Sequence, residues 1–211
     1  MLNSVGSVGI FGSSFDPIHF GHLRVVESVQ SVMAFDHIRM VLTSRPAHKV
    51  RSVVSDDDRW QMLCLACKNK EMLIPEDFEK NQPGISFSIN TLHHLTQKLP
   101  GARLCWIMGS DAFFGLPSWY RWEELFDLCN FVVVDRPDCK EKPTEQFEQF
   151  YQKNLVEKID YGRNGQIYHV GASMIALSSS EIRALIREGR PVNNFLPERV
   201  ADYVLEKRLY L

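Results

Sequence analysis

The stretch VGSVGIFGSSFDPIHFGH, residues 5–22, decides how the rest of the chain is read. Residues 5–11 are short, β-rich and punctuated by Gly6, Gly9 and Gly12, as a buried strand running into a tight loop would be. After Gly21, HLRVVESVQSVMA (22–34) carries apolar positions at helical spacing, and HIRMVLT (37–43) reads as a second strand. The opening is therefore β-loop-α-β, the start of a parallel sheet with right-handed crossovers. Ligands of such sheets sit beyond the carboxyl ends of the strands, so the loop after the first strand is the first place to look. Gly12, Ser13 and Ser14 are small enough for close backbone approach, Pro17 stiffens the turn, and His19 and His22 flank Gly21 where the helix begins. Both imidazoles can then face one spot over a helix N-terminus, where free N–H groups and the macrodipole favour an anion. A lone histidine here would read as a cap; two, directly after a first strand, read as a phosphate site.

The same alternation runs to the other end. Helices are expected over 56–70 and 89–98, a strand at 103–108 (RLCWIM), a helix at 118–128 and a strand at 131–135 (FVVVD). A polar, proline-flanked loop at 137–143 precedes a helix over 144–159. A Gly-Arg-Asn-Gly turn, a strand at 166–170 and helices over 179–188 and 197–207 follow. No internal repeat, low-complexity tract or long linker interrupts this, and strands alternating with helices favour a doubly wound α/β sheet.

Composition removes several classes. At 211 residues, 45% hydrophobic and 24% charged, the chain is an ordinary soluble globular domain rather than a disordered or fibrous one. A net charge of −2 gives no overall basic field, which argues against a nucleic-acid partner; any anion site has to be built locally. No run of about 18 apolar residues suggests a membrane span. Five cysteines, an odd number in a chain large enough to need no staples, point to a reducing compartment, so the expected location is cytoplasmic. Cys64 and Cys67 form a CxxC within an expected helix, with no second pair or histidine nearby, which is poor zinc or redox spacing. No GxGxxG follows a strand, and neither a P-loop nor a GxSxG elbow occurs.

Residues 12–22, GSSFDPIHFGH, resemble the HxGH signature of the nucleotidyltransferase superfamily, and in their longer form the GGTFDPIHxGH pattern of bacterial nicotinate-nucleotide adenylyltransferases. Ser13 and Ser14 stand where that pattern has Gly and Thr; a positive φ at residue 13 would strain a serine mildly. IMGSDAFFGLPSWYRWEELF (107–126) is similar to the family's IIGxDxxxxLPxWYRWEELL, and LSSSEIR (177–183) to its ISSTxIR. FVVVDRPD (131–138), SRPAHK (44–49), DDDRWQML (56–63) and ISFSINTL (85–92) fall in the family's order, so the resemblance covers nearly the whole chain. It implies a Rossmann-like doubly wound parallel sheet over 1–176 and a small C-terminal helical subdomain over 177–211, in one compact unit.

The reaction implied is adenylyl transfer from ATP to nicotinate mononucleotide, giving nicotinate adenine dinucleotide and pyrophosphate. Catalysis falls to His19, His22 and Arg183. ATP falls to these with Gly12, Ser13, Ser14, Gly109, Asp111, Ser179 and Ser180, the serines and Arg183 forming a second anion cradle at a helix start. Capping would account for one serine of Ser178, Ser179 and Ser180. Gly109 and Asp111 follow a strand, where a carboxylate suits ribose hydroxyls. Trp119 and Trp122 sit three apart on an expected helix; Trp122 reads as core, whereas the family makes Trp119 a platform for the pyridine ring. Ser88 and the backbone at Tyr120 match contacts to the nicotinate carboxylate. His48, Lys49 and Arg136 lie in loops after strands, where basic groups can meet phosphate. Mg²⁺ is expected to ride on the ATP phosphates. Rival expectations are a nucleotidyltransferase for nicotinamide mononucleotide or phosphopantetheine, and a nucleotide sensor without turnover.

Overall fold

A computed structural model describes residues 6–45, 52–135, 143–171 and 177–211. The first strand, β1 (Ser7–Ser13), lies at the middle of the sheet. Helix α1 (Phe20–Met33) crosses back to β2 (His37–Leu42), which pairs parallel with β1 from Val8 opposite His37 to Ser13 opposite Leu42. Helix α2 (Asp56–Cys67) leads to an edge strand, β3 (Leu73–Glu76). Through α3 (Phe78–Asn81) and α4 (Ser88–Lys98) the chain returns to the other flank of β1 as β4 (Arg103–Gly109). Then follow α5 (Ser110–Phe114), a 3₁₀ turn (Leu116–Ser118), α6 (Trp122–Leu128), β5 (Asn130–Val134), α7 (Glu145–Asn154), β6 (Ile167–Val170), α8 (Ser179–Arg187) and α9 (Glu198–Glu206). Among the described residues the sheet has six parallel strands in the order β3-β2-β1-β4-β5-β6. The winding reverses between β1 and β4, which opens a crevice beyond their carboxyl ends. The doubly wound α/β expectation holds.

Both faces of the sheet are covered, and the period-2 alternation of each strand feeds one core on each side. Along β5, Val132 and Val134 face one core while Phe131 and Val133 face the other. The first core takes Val26 and Val29 of α1, Met62 and Leu63 of α2, Ile182 and Ile186 of α8 and Val200 and Val204 of α9. The second takes Leu92 and Leu95 of α4, Phe113 of α5, Leu125 of α6 and Phe147 of α7. Each such side chain, fully buried, contributes on the order of 1.5–3 kcal/mol. The carbonyl of Phe195, between α8 and α9, accepts from Phe20 N–H at 2.9 Å and so reaches the first turn of α1.

Several expected elements differ in detail. Strand β3 reads LIPE, and its Pro75 disguises it; a proline is tolerated because this strand lies on the sheet edge. The helix expected over 118–128 is broken: Trp119 is extended (φ −80°, ψ 146°), Arg121 is left-handed (φ 55°) and α6 starts only at Trp122. Trp119 and Trp122 therefore do not share a helix. The helix expected over 144–159 stops at Asn154, and α1 begins two residues before 22. Ser13 ends β1 and is not among the residues with positive φ, so serine there carries no backbone strain.

Candidate active site

The site begins where β1 runs out. His19 caps α1 in extended conformation (φ −147°), and its main-chain N–H donates to Nδ1 of His22, one turn on, at 3.3 Å. A neutral ring that accepts at Nδ1 carries its proton on Nε2, and that atom lies 3.2 Å from Ser13 Oγ. The two imidazoles lie with ring centroids 3.9 Å apart. His19 is 4% exposed, and its Nδ1 finds no hydrogen-bond partner among the described residues. Burial pushes its pKa down to about 4, against a weaker upward pull from the Glu181 carboxylate, so the ring is neutral at pH 7. Gly21 makes this arrangement possible. A Cβ there would lie 2.8 Å from Cε1 and Nδ1 of His19. At Gly12, in contrast, a Cβ would meet Trp106 at an ordinary 3.6 Å, so packing within the protein does not require glycine at that position.

Phe15 stands inside the loop, fully buried and at φ 46°, a left-handed backbone unusual for a bulky residue. Its ring meets His22 edge-on at 5.1 Å. Such a conformation costs on the order of 1–3 kcal/mol and persists only where surrounding contacts over-determine it.

The start of α8 supplies those contacts. Ser178 is the N-cap: its Oγ accepts from Glu181 N–H at 3.2 Å, and the Glu181 carboxylate accepts from Ser178 N–H at 2.8 Å. The Ser178 hydroxyl, which donates to that carboxylate at 2.7 Å, and then the Ser178 N–H hold the Glu181 carboxyl below its usual range. Ser179 Oγ donates to Pro17 O at 3.1 Å. Arg183 donates from Nη1 to Asp16 O at 2.7 Å and from Nη2 to Ser180 Oγ at 3.1 Å. One serine caps and the other two bind elsewhere, while α8 is stitched to the loop that carries the histidines. Two helix N-termini thus meet at the carboxyl end of the central strand, with imidazole, hydroxyl and guanidinium groups around them. That donor set suits phosphate oxygens.

On the β4 side of the crevice, Gly109 ends the strand as the N-cap of α5, and Asp111 lies in the first turn of that helix, half-buried. Ser14 contributes its carbonyl to the site's frame, where it accepts from Arg59. Ser88 opens α4 directly after Phe87, whose ring lies 4.6 Å from that of Tyr120. Tyr120 is exposed and Trp119 is half-buried against the second core, so the Phe87–Tyr120 contact joins the chain segment of Ser88 to that of Trp119 and Tyr120. His48, Lys49 and Arg136 lie outside the described residues. Among the described residues no three His, Cys, Asp or Glu side chains gather as a metal site, and no helix is long and apolar enough to cross a membrane.

Sequence reading missed the residues that frame the loop. Arg59 is fully buried, and its guanidinium donates to Ser14 O (2.6 Å), Thr43 O (2.8 Å), Ser44 O (3.1 Å) and the Asp56 carboxylate (2.7 Å). It therefore satisfies carbonyls that leave the ends of both β1 and β2, where ladder partners are running out. Burial works against the charge of Asp56, and hydrogen bonds from Ser44 and Arg59 outweigh it, holding that carboxyl below its usual range. Asp16, 5% exposed, accepts from Val53 N–H at 3.0 Å and from Tyr210 OH at 2.8 Å. The available signal was weak: an arginine inside DDDRWQML and an aspartate inside FDPIH, each indistinguishable from a surface charge until its burial is known.

Residues 10–185 match the cytidylyltransferase-like family. A protein of Geotalea daltonii named "Probable nicotinate-nucleotide adenylyltransferase" is 32% identical over 96% of this chain and 97% of its own length. One of the same name from Pseudomonas aeruginosa is 35% identical over 96% of each. Among solved structures, Plasmodium falciparum nicotinic acid mononucleotide adenylyltransferase complexed with NaAD shares the fold at a TM-score of 0.74 over 97% of both chains, at 19% identity.

Proposed function

Because the chain belongs to the cytidylyltransferase-like family and aligns end to end with nicotinate-nucleotide adenylyltransferases, we propose that it transfers the adenylyl group of ATP to nicotinate mononucleotide. The observation that carries this reading is the meeting of two helix N-termini, with His19, His22, Ser179, Ser180 and Arg183, at the carboxyl end of β1. A phosphate oxygen of the mononucleotide attacks the α-phosphorus of ATP, the bond from that phosphorus to the bridging α,β oxygen breaks, and pyrophosphate leaves. The attacking phosphate is ionised at neutral pH, so no side-chain nucleophile is needed. The protein's work is alignment and stabilisation of charge on the equatorial oxygens and the leaving group.

In this reading the Nε2–H of His22 and the ring of His19 serve the α- and β-phosphates, and α8 with Arg183 takes the departing pyrophosphate. Gly12, Ser13 and Ser14 leave room for the triphosphate, and Gly109 and Asp111 receive the adenosine. Trp119, Ser88 and Tyr120 flank the pyridine ring, and His48 and Arg136 meet substrate phosphate. Mg²⁺ arriving with ATP would neutralise charge on its phosphates, while the imidazoles, serines and Arg183 would supply hydrogen bonds to their oxygens. The setting is cytoplasmic, in keeping with the unpaired thiols of Cys64, Cys67, Cys105 and Cys129.

The test is pyrophosphate release and dinucleotide formation with ATP, Mg²⁺ and either nicotinate or nicotinamide mononucleotide. The expected result is turnover with at least about tenfold preference for nicotinate, or about 1.4 kcal/mol in transition-state binding. Equal use of both would discard the roles given to Ser88 and Tyr120. ATP binding without turnover would overturn the reaction and leave a nucleotide sensor.

A further inference from the structure

Beyond α9 the chain turns back on itself: Arg208 N–H donates to Leu205 O at 3.2 Å and Leu209 N–H to Val204 O at 3.0 Å. Arg208 (φ 53°) and Tyr210 (φ 68°) both take left-handed backbone, which L-residues adopt at a cost. Tyr210 is nonetheless 5% exposed, its ring in the first core. Packing alone would be met as well by phenylalanine. The hydroxyl has a specific use, donating to Asp16 Oδ1 at 2.8 Å in a buried contact.

Asp16 is thereby held from three parts of the fold. Tyr210 binds Oδ1, Val53 N–H binds Oδ2 at 3.0 Å, and Arg183 Nη1 lies 2.7 Å from its carbonyl and 3.9 Å from Oδ2. Of the five N–H donors of an arginine, those given to the Asp16 carbonyl and Ser180 Oγ orient the plane and leave others for a phosphate. Burial raises the Tyr210 phenol far above its ordinary range, so it stays a neutral donor at any working pH.

We propose that Tyr210 is a positioning residue for adenylyl transfer: through Asp16 its hydroxyl holds Arg183 and the loop of His19 in the arrangement that receives the departing pyrophosphate. The inference rests on the reading that Arg183 serves the leaving group, and on no contact of Tyr210 with substrate. Tyr210→Phe removes one oxygen from a ring that stays packed. It leaves Asp16 Oδ1 without its donor and frees the carboxylate to draw the guanidinium inward.

The experiment is a kinetic double-mutant cycle of Tyr210→Phe and Arg183→Ala, with pyrophosphate product inhibition as a second readout. Tyr210→Phe is expected to lower kcat about tenfold, equivalent to about 1.4 kcal/mol, to weaken pyrophosphate inhibition at least about fivefold, and to leave KM for the mononucleotide within about twofold. In the Arg183→Ala background the same change should alter kcat by less than about twofold, because the group being positioned is gone. An equal loss in both backgrounds, or unchanged kcat and pyrophosphate inhibition in Tyr210→Phe, would overturn the proposal. Should Tyr210→Phe not fold, Asp16→Ala carries the same cycle, since it removes the acceptor of the Tyr210 hydroxyl and keeps the main-chain carbonyl that Arg183 binds. Wild-type protein without turnover would instead refute the function on which the inference rests.

Discussion

Acidification should weaken this protein through His19. The ring titrates near 6.5 in an unfolded chain and at about 4 in the fold, because burial disfavours its charged form. Between those values the unfolded state binds the proton and the folded state does not, so stability falls as pH drops through the window from about 6.5 to 4. Above it the contribution is fully present, and below it the loss is complete. At about 1.36 kcal/mol per pH unit the gap amounts to about 3 kcal/mol, a large share of a typical domain's total. Denaturant unfolding of wild type and His19→Asn at a series of pH values isolates this contribution, since carboxylates that titrate in the same range are common to both. Wild type should lose about 3 kcal/mol more than the variant between neutral pH and pH 4. In parallel, the His19 ring resonance should titrate near 4 in the free protein and move upward once a non-hydrolysable ATP analogue places phosphate beside it. Parallel stability profiles, or a free ring that titrates at its ordinary value, would refute the account of a buried, neutral imidazole awaiting an anion.

Other perturbations test other parts of the site. Gly21→Ala puts a Cβ 2.8 Å from the His19 ring; turnover should fall about 100-fold, as a misplacement near 1 Å does, while the melting temperature changes little because alanine's helix preference offsets part of the strain. Turnover at the wild-type level would show that the His19 position is not critical. Arg59→Met strands three carbonyls and the Asp56 carboxylate, and should cost about 3–5 kcal/mol in denaturant unfolding; a cost under about 1 kcal/mol would mean that the guanidinium does not hold the loops. Burial raises the thiols of Cys67 and Cys105 to about 12 and that of Cys129 well above its usual value. Mass spectrometry should find all three unmodified by thiol reagents at about pH 8 until the protein unfolds, and rapid labelling of the native protein would contradict their placement.

Local patterns account for what could be read early. The strands announce themselves because Phe131 to Val134 are apolar throughout, as both faces of a parallel sheet require. The start of α8 is visible as serines followed by Glu181, a capping pattern that needs only neighbours three residues away, whereas its reading as an anion cradle leans on the family resemblance. Where a residue departs from its pattern the reading fails: Pro75 hides an edge strand, and the left-handed Arg121 cuts a helix that helical spacing alone would have continued from 118.

The amino-acid order by itself determined the alternating α/β class, the position of His19 and His22 at the first helix start, and the donor-rich chemistry gathered there. These follow from periodicities and residue types within a few positions of one another. Only the tertiary structure decided which charges frame that site. Arg59 reaches Ser14 across 45 residues, Arg183 reaches Asp16 across 167 and Tyr210 reaches Asp16 across 194. Partners that far apart leave no trace in local spacing, and a buried guanidinium or carboxylate looks like any surface charge until the fold closes around it and desolvation makes its hydrogen bonds obligatory.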